Sequence, residues 1–417
     1  MGQYRDQKLL IIGAGIGQVP LLKKAKSRGL HVTVATRPGD YPCISLADDV
    51  IFQEIYDRDA IVTEAKKRGI TAVTSDQNDL VNPTVAYVAE KLGLPGNRFS
   101  TVMSYCNKNS FRDLCDRAGV PAPRHMEIRD AVPDHISFDA ALPWIVKPAD
   151  SQSSIGVKRI DRMEDLRPAL SFALEKSPTR SAIVEEFFFG QEIVCEGFIS
   201  DGKYYLLSFA DRKYFDLPDR LIPCQTLFPS TVERAFLDRV EEYETKMASF
   251  TKPSFAIVHS EYLIDRQRGE IRIVESALRG GGVYISSDLI PLCTGIDINE
   301  VLLDKALGKP VDTDAVFEKK QNMASAYVCF YLPDGVVQGI EGVKELKELP
   351  FVKRAFIDDI RVGQQTQPMT YKGARKGPIL VSGKDRSELE ENIRTVRDTL
   401  KIHTLTKEGK TREIHWE

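Results

Sequence analysis

Glu-Ser-Ala-Leu-Arg-Gly-Gly-Gly, residues 275–282, follows directly on the apolar run Ile271–Val274. The run reads as a strand, and its end presents a carboxylate, a guanidinium four residues on, and three glycines. A packed core wants none of these. Each glycine gives up side-chain packing and adds unfolded-state entropy, costing about 0.5–1 kcal/mol relative to alanine in regular structure. A surface turn would account for the glycines alone, so the rest of the chain must decide. The strand candidate Phe255–Ile264 is joined to Glu270–Ala277 through the turn Asp265–Gly269, as in a β-hairpin. Glu261 and Glu275 therefore lie on adjacent strands, where their carboxylates can converge. His259, two residues before Glu261, shares its face; it reads either as a support for the carboxylates or as a satisfied core histidine.

Upstream, the first hundred residues alternate strand and helix signals: Lys8–Ile12, Val19–Arg28, His31–Ala35, Ala60–Arg68, Ile70–Thr74 and Thr84–Leu92. Such alternation predicts right-handed βαβ units on a parallel sheet. The glycine loop Gly13-Ala14-Gly15-Ile16-Gly17-Gln18 fails the dinucleotide fingerprint at its third glycine, and the second strand ends without an acid for a ribose diol. NAD binding is disfavoured. Asp76, beyond the strand Ile70–Thr74, sits where such sheets place ligand contacts, or caps the following helix.

The middle of the chain reads as a helix at Asn109–Ala118, a short strand at Trp144–Lys147, a helix near Glu164–Lys176, and strands at Ile183–Glu186, Ile193–Ser200 and Tyr204–Phe209. From about Val311 the character changes, with strands at Tyr327–Leu332, Val352–Ile357 and Ile379–Val381 and a helix from Ser387 to Leu400. At 417 residues the chain is too long for one core. Its net charge of −3 lacks the basic excess of a nucleic-acid-coating protein. There is no membrane-length apolar stretch and no signal-peptide core. The seven cysteines form no Cys-x-x-Cys pair, which suggests free thiols in a reducing cytoplasm rather than zinc or disulfides.

Two further stretches carry chemistry. Lys147-Pro148 is followed by a Ser/Gly loop, Ser151–Gly156, whose amides and hydroxyls could close over phosphates, although it is not a P-loop. Ile183-Val184-Glu185-Glu186-Phe187-Phe188-Phe189-Gly190-Gln191-Glu192 ends an apolar strand on paired acids, with a third acid seven residues beyond the first.

Taken in order, Lys108, Lys147-Pro148 with its loop, Glu185-Glu186-Phe187-Phe188 with Glu192, His259-Ser260-Glu261 and Glu275-x-x-x-Arg279 resemble the ATP-grasp superfamily over almost the whole chain. The likeness is nearest to carboxylate–amine ligases of the amino-acid ligase and purine-biosynthesis type, and Val336–Leu400 resembles the closing domain of amino-acid ligases. The resemblance implies an α/β ATP-grasp fold. An N-terminal parallel-sheet (pre-ATP-grasp) domain would span 1–100, and a two-lobed nucleotide-binding domain 101–310, with its small lobe at about 120–188. A C-terminal α+β domain would span 311–417.

It also implies roles. Lys108 and Lys147 would hold ATP phosphates under a cover that includes Ser153, Ser154 and Gly156. Glu185, Glu186 and Phe188 would read the adenine edge, and Glu192 the ribose hydroxyls. Lys213, or its neighbour Arg212, would reach the γ-phosphate. Glu261 and Glu275 would hold Mg2+, or Mn2+ in its place, and Arg279 would steady the transferring phosphoryl group. Ala277 departs from the common Glu-x-Asn-x-Arg form and withholds one metal ligand. The implied activity joins a small-molecule carboxylate to an amine, with ADP and phosphate released, in a cytoplasmic enzyme that touches no nucleic acid or membrane and could be a homodimer. The alternatives are a purine- or carbamoyl-phosphate-type enzyme that activates bicarbonate or formate, and a non-catalytic nucleotide-binding regulator.

Overall fold

The computed structural model describes residues 7–150, 156–217, 222–369 and 372–417. The chain divides into two compact units. One comprises Met1–Leu206, Glu233–Gly282 and Asn299–Thr313; the other comprises Leu207–Val232, Val283–Ile298 and Asp314–Glu417.

The first unit begins with β1 (Lys8–Ile12), β2 (His31–Thr36), β3 (Asp49–Phe52) and β4 (Ala72–Thr74), a parallel sheet in the order β3-β2-β1-β4. Leu9 to Ile12 are fully buried, as an unbroken apolar run must be when helices cover both faces of a parallel sheet. β3 was not evident from the sequence because its four residues carry no usable period. Gln18, the residue that breaks the dinucleotide fingerprint, fills the loop after β1. Its Oε1 accepts from the Gly15 amide at 3.1 Å, and its Nε2 donates to the Asp76 carbonyl at 2.7 Å.

A second, antiparallel sheet contains β5 (His125–Arg129), β6 (Trp144–Pro148), β7 (Lys158–Ile160) and β8 (Ser181–Glu186) in the order β5-β8-β6-β7. The helix Leu166–Lys176 packs Leu170, Ala173 and Leu174 against Val146, Ala182 and Val184 of that sheet. Here sits Gly156, with φ at +77° and a position where a Cβ would lie 2.7 Å from the Pro148 ring.

β9 (Gln191–Ser200) follows, and then β10 (Lys203–Tyr214) and β11 (Pro223–Phe228), which lead through the second unit. The chain returns by the helix Arg234–Thr251 to β12 (Phe255–Asp265) and β13 (Glu270–Ala277). β12 lies antiparallel between β9 and β13. The turn between β12 and β13 is tied by Asp265, whose Oδ1 accepts from the amides of Gln267 and Arg268.

In the second unit, β10 and β11 lie in an antiparallel row with β14 (Ala324–Phe330), β17 (Lys376–Gly383) and β16 (Val352–Ala355). A smaller sheet holds β15 (Gly335–Glu341), β18 (Lys401–Thr406) and β19 (Thr411–Glu413). The helix Arg386–Thr399 buries Leu389, Ile393 and Val396 in a core with Phe330, Ile379 and Val381. Among the described residues no helix is long and apolar enough to cross a membrane.

Gly190, where β8 hands over to β9, tests the packing at that corner. A Cβ there would stand 2.9 Å from the N, C and O atoms of Ile264, backbone atoms of a central strand that cannot swing aside. Gly190→Ala should destabilise the chain by about 1–3 kcal/mol, as overpacked sites do. It should melt below Gly282→Ala, whose Cβ meets nothing within 4 Å and whose φ lies outside the left-handed region. A Gly190→Ala melting temperature equal to wild type would show that the corner yields.

Candidate functional site

A buried charge triad ties the β5-β8-β6-β7 sheet to β13. Glu185, at the end of β8, is 4% exposed. Its Oε1 accepts from Nε of Arg112 at 2.8 Å, and its Oε2 lies 2.7 Å from Nζ of Lys147 on β6. Arg112, 1% exposed on the helix Lys108–Ala118, also donates through Nη2 to the Val274 carbonyl at 2.8 Å, one residue before Glu275. Burial raises the Glu185 pKa, but the two cations overcome it and hold the carboxyl at about 2. Both oxygens of the acid expected at the adenine edge thus face protein cations. Arg112 was not singled out in the sequence. The available signal was its place beside Phe111 and Cys115, on the stripe the helix buries.

The neighbouring acids are arranged differently. Glu186 accepts from the Arg124 amide at 3.1 Å, while its own amide donates to the Arg124 carbonyl and that of Phe187 to the Pro143 carbonyl. Phe188 turns inward under the guanidinium of Arg272, 5.0 Å from the ring centre.

One face of the β9-β12-β13 sheet gathers carboxylates. Glu261 stands directly across from Glu275, with β-carbons about 4.5–5.5 Å apart in such pairs. In the next row, His259 faces Ala277 on one side and Glu196 on the other. Glu192, opposite Leu263, falls on the same face by strand alternation. Nδ1 of His259 meets the Glu196 carboxylate, and its Nε2 lies 3.5 Å from Glu261 Oε1. Burial lowers the histidine pKa, but the two carboxylates prevail and raise it.

The glycines of the opening motif are clasped from within the first unit. The Gly280 amide donates to Asp76 at 2.8 Å and the Gly281 amide to Glu196 at 3.2 Å. Arg279 makes a two-pronged pair with Asp79, Nε to Oδ1 at 2.7 Å and Nη2 to Oδ2 at 2.8 Å. Asn82 donates to the Leu278 carbonyl at 3.0 Å. Asp76 is fully buried and does not cap the helix Asn82–Leu92, whose N-cap is Val81. Asp79 and Glu196 were missed in the sequence, the first in a loop without periodicity, the second inside a strand.

Lys108 opens its helix beneath the Asn107 cap and donates its amide to the Ala149 carbonyl. Burial lowers its ammonium pKa, against the pull of Glu275, Glu185 and Asp150. It lines a cavity of about 360 Å³ together with Asp150, Thr179, Asp79, Glu275 and Met103. Ser153 and Ser154 lie outside the described residues. Lys213 is exposed on β10 in the second unit, across from Gln225, with Arg212 beside it. Two facing carboxylates are hard oxygen donors and fit a magnesium ion that takes its other ligands from phosphate and water. No group of three or more His, Cys, Asp or Glu able to hold a metal occurs among the described residues.

This geometry belongs to a known class. Residues 140–287 match the ATP-grasp domain. Residues 328–405 match the L-amino acid ligase C-terminal domain 2. The alanine–anticapsin ligase of Bacillus subtilis (strain 168) is 27% identical over 281 residues, which is 60% of this chain and 57% of that protein. This chain thus spans little more than half the length of that relative. A formate-dependent phosphoribosylglycinamide formyltransferase of Sulfurisphaera tokodaii is 22% identical over 399 residues, 93% of this chain and 95% of that one. The crystal structure of an L-amino acid ligase from Bacillus licheniformis shares the fold with a TM-score of 0.80 at 22% identity, covering 95% of this chain and 98% of that one.

The triad makes a pH prediction. The Glu185 pKa falls from 4.5 to about 2 on folding, so its contribution is full above pH 4.5 and drains away as pH drops towards 2. Arg112→Met should cost about 3–5 kcal/mol at neutral pH, as removing one partner of a buried ion pair does. It should also flatten the acid limb of stability between those two values. Denaturant melts across pH check this; a wild-type acid limb in the variant would remove Arg112 from the role.

Proposed function

We propose that this chain is an ATP-dependent ligase that activates a carboxylate as an acyl phosphate and joins it to an amine. The observation that carries the reading is the shared face of Glu192, Glu261 and Glu275, with Lys108 under the electrostatic influence of Glu275, Lys147 and Glu185. On this reading Lys108 and Lys147 neutralise the phosphates of ATP, and Glu185 holds the Lys147 ammonium in place rather than reading adenine. The adenine edge falls to the backbone around Phe188, and the ribose to Glu192. Glu261 and Glu275 hold Mg2+, which when bound neutralises phosphate charge.

The chemistry balances without a covalent protein intermediate. A carboxylate oxygen attacks the γ-phosphorus and ADP leaves. The amine nitrogen then attacks the acyl carbon, phosphate departs and the amine loses a proton. Arg279, fixed by Asp79, presents positive charge beside the developing anion, and most of the acceleration comes from positioning and charge neutralisation. All seven cysteines are free, in keeping with a cytoplasmic enzyme.

A second reading, activation of formate or bicarbonate, draws on the formate-dependent relative that matches along nearly the whole chain. A phosphate-release screen separates the two: the ligase requires an organic acid paired with an amine, amino acids first, whereas the alternative turns over with formate or bicarbonate. No release with any pair would overturn both.

Two variants probe the assignment of roles. Glu275→Gln should abolish magnesium-dependent turnover while ATP still binds, because the adenine and ribose contacts lie elsewhere; normal turnover would take Glu275 out of the metal site. Arg279→Ala should lose roughly a hundred- to a thousand-fold in turnover with ATP affinity nearly unchanged. With the wild-type protein, hydroxylamine in place of the amine should trap the acyl phosphate as a hydroxamate. AMP among the products would overturn the acyl-phosphate route.

A further inference from the structure

We propose that Glu196 is a positioning residue that links the glycine loop to the metal-holding carboxylate Glu261 through His259. The inference rests on the metal role proposed above for Glu261. Glu196 is 0% exposed, in a strand whose neighbours Cys195 and Phe198 are also fully buried. A carboxylate in such a place needs donor partners for both oxygens or its desolvation is uncompensated. Both partners belong to the site. One oxygen takes the Gly281 amide at 3.2 Å, and the other meets Nδ1 of His259.

The ring of His259 is thereby turned so that Nε2 points along the face to Glu261 Oε1, 3.5 Å away. The register explains why this works. Glu196 and His259 are directly opposed on β9 and β12, and Glu261 is the next residue of β12 on that face. The chain from Gly281 to Glu261 therefore passes through two side chains held by a rigid three-strand ladder. Through His259 this acid supports Glu261 from behind. Histidine–carboxylate supports of metal ligands act in this way, and losing one typically weakens metal binding by about 10–100-fold.

The test reads metal binding directly. Mn2+ is titrated into the full chain in the presence of ADP, and free Mn2+ is followed by electron paramagnetic resonance. Glu196→Gln retains an acceptor for the Gly281 amide but loses the charge facing His259; His259→Asn removes the link itself. Each should weaken Mn2+ by about 10–100-fold, with metal-free ADP affinity within about twofold of wild type, and the double variant should be no worse than the weaker single, since both cut one chain of contacts. Wild-type Mn2+ affinity in His259→Asn, or additive losses in the double variant, would overturn the coupling, and His259→Asn decides alone if Glu196→Gln fails to fold. Glu261→Gln separates the premises. If it too binds Mn2+ normally, the metal assignment fails and takes this inference with it; if it binds poorly while His259→Asn binds normally, only the coupling fails.

Discussion

Glu185 is an acid with nowhere to go. Buried at the end of β8, it would be expelled or protonated without partners, since an isolated charge in a protein interior is far costlier than any single hydrogen bond. Arg112 and Lys147 remove that alternative by taking one oxygen each. The consequence spreads outward because each cation is anchored elsewhere. Lys147 belongs to β6, and Arg112 reaches over to the Val274 carbonyl beside Glu275. The strands β6 and β8, the helix Lys108–Ala118 and β13 are thereby held in one register by a single carboxylate. Replacing such a triad with apolar residues can be neutral for stability, so its value here is geometric: it sets where the Lys147 ammonium and the Glu275 carboxylate stand.

The three glycines have the same logic at the other end of β13. The amides of Gly280 and Gly281 are received by Asp76, just beyond β4, and by Glu196 on β9. Beyond the glycines, in the second unit, Val283 and Tyr284 both adopt positive φ, 57° and 61°. A β-branched residue in that region is strained, and such strain is characteristic of functional segments.

Much of this could be read in the sequence, and the limits were physical. The hairpin of Glu261 and Glu275 was legible from its turn, but a regular ladder from that turn would set Glu261 against Val274, and it is a register shift between Glu261 and Tyr262 that brings the two acids face to face. The parallel sheet was legible from unbroken apolar runs. Arg112, Asp79 and Glu196 were not, because a charged residue in a helix, a loop or a strand is ordinarily solvated, and only its three-dimensional partner marks it as buried. Periodicity gave a partial signal in two cases: Arg112 lies on the apolar stripe of its helix, and Glu196 interrupts a strand that is apolar on both faces. The partners themselves lie 73 residues away for Arg112 and 63 for Glu196, and no local pattern encodes such distances.

Ala277 brings these strands of argument together. It occupies the row of His259 and Glu196, so the face offers carboxylates on one side of that row and an imidazole in the middle, but no oxygen from position 277. A magnesium ion held by Glu261 and Glu275 alone would lack most of an octahedral shell. Under the proposed reading the remaining ligands are phosphate oxygens and water, so metal and nucleotide complete one another's sites. The fewer protein ligands there are, the more the orientation of each one matters, because no third group can compensate for a misdirected carboxylate. On that reading a buried acid two side chains removed from the metal, which takes a glycine amide and meets a histidine, falls within the working site rather than the packing around it.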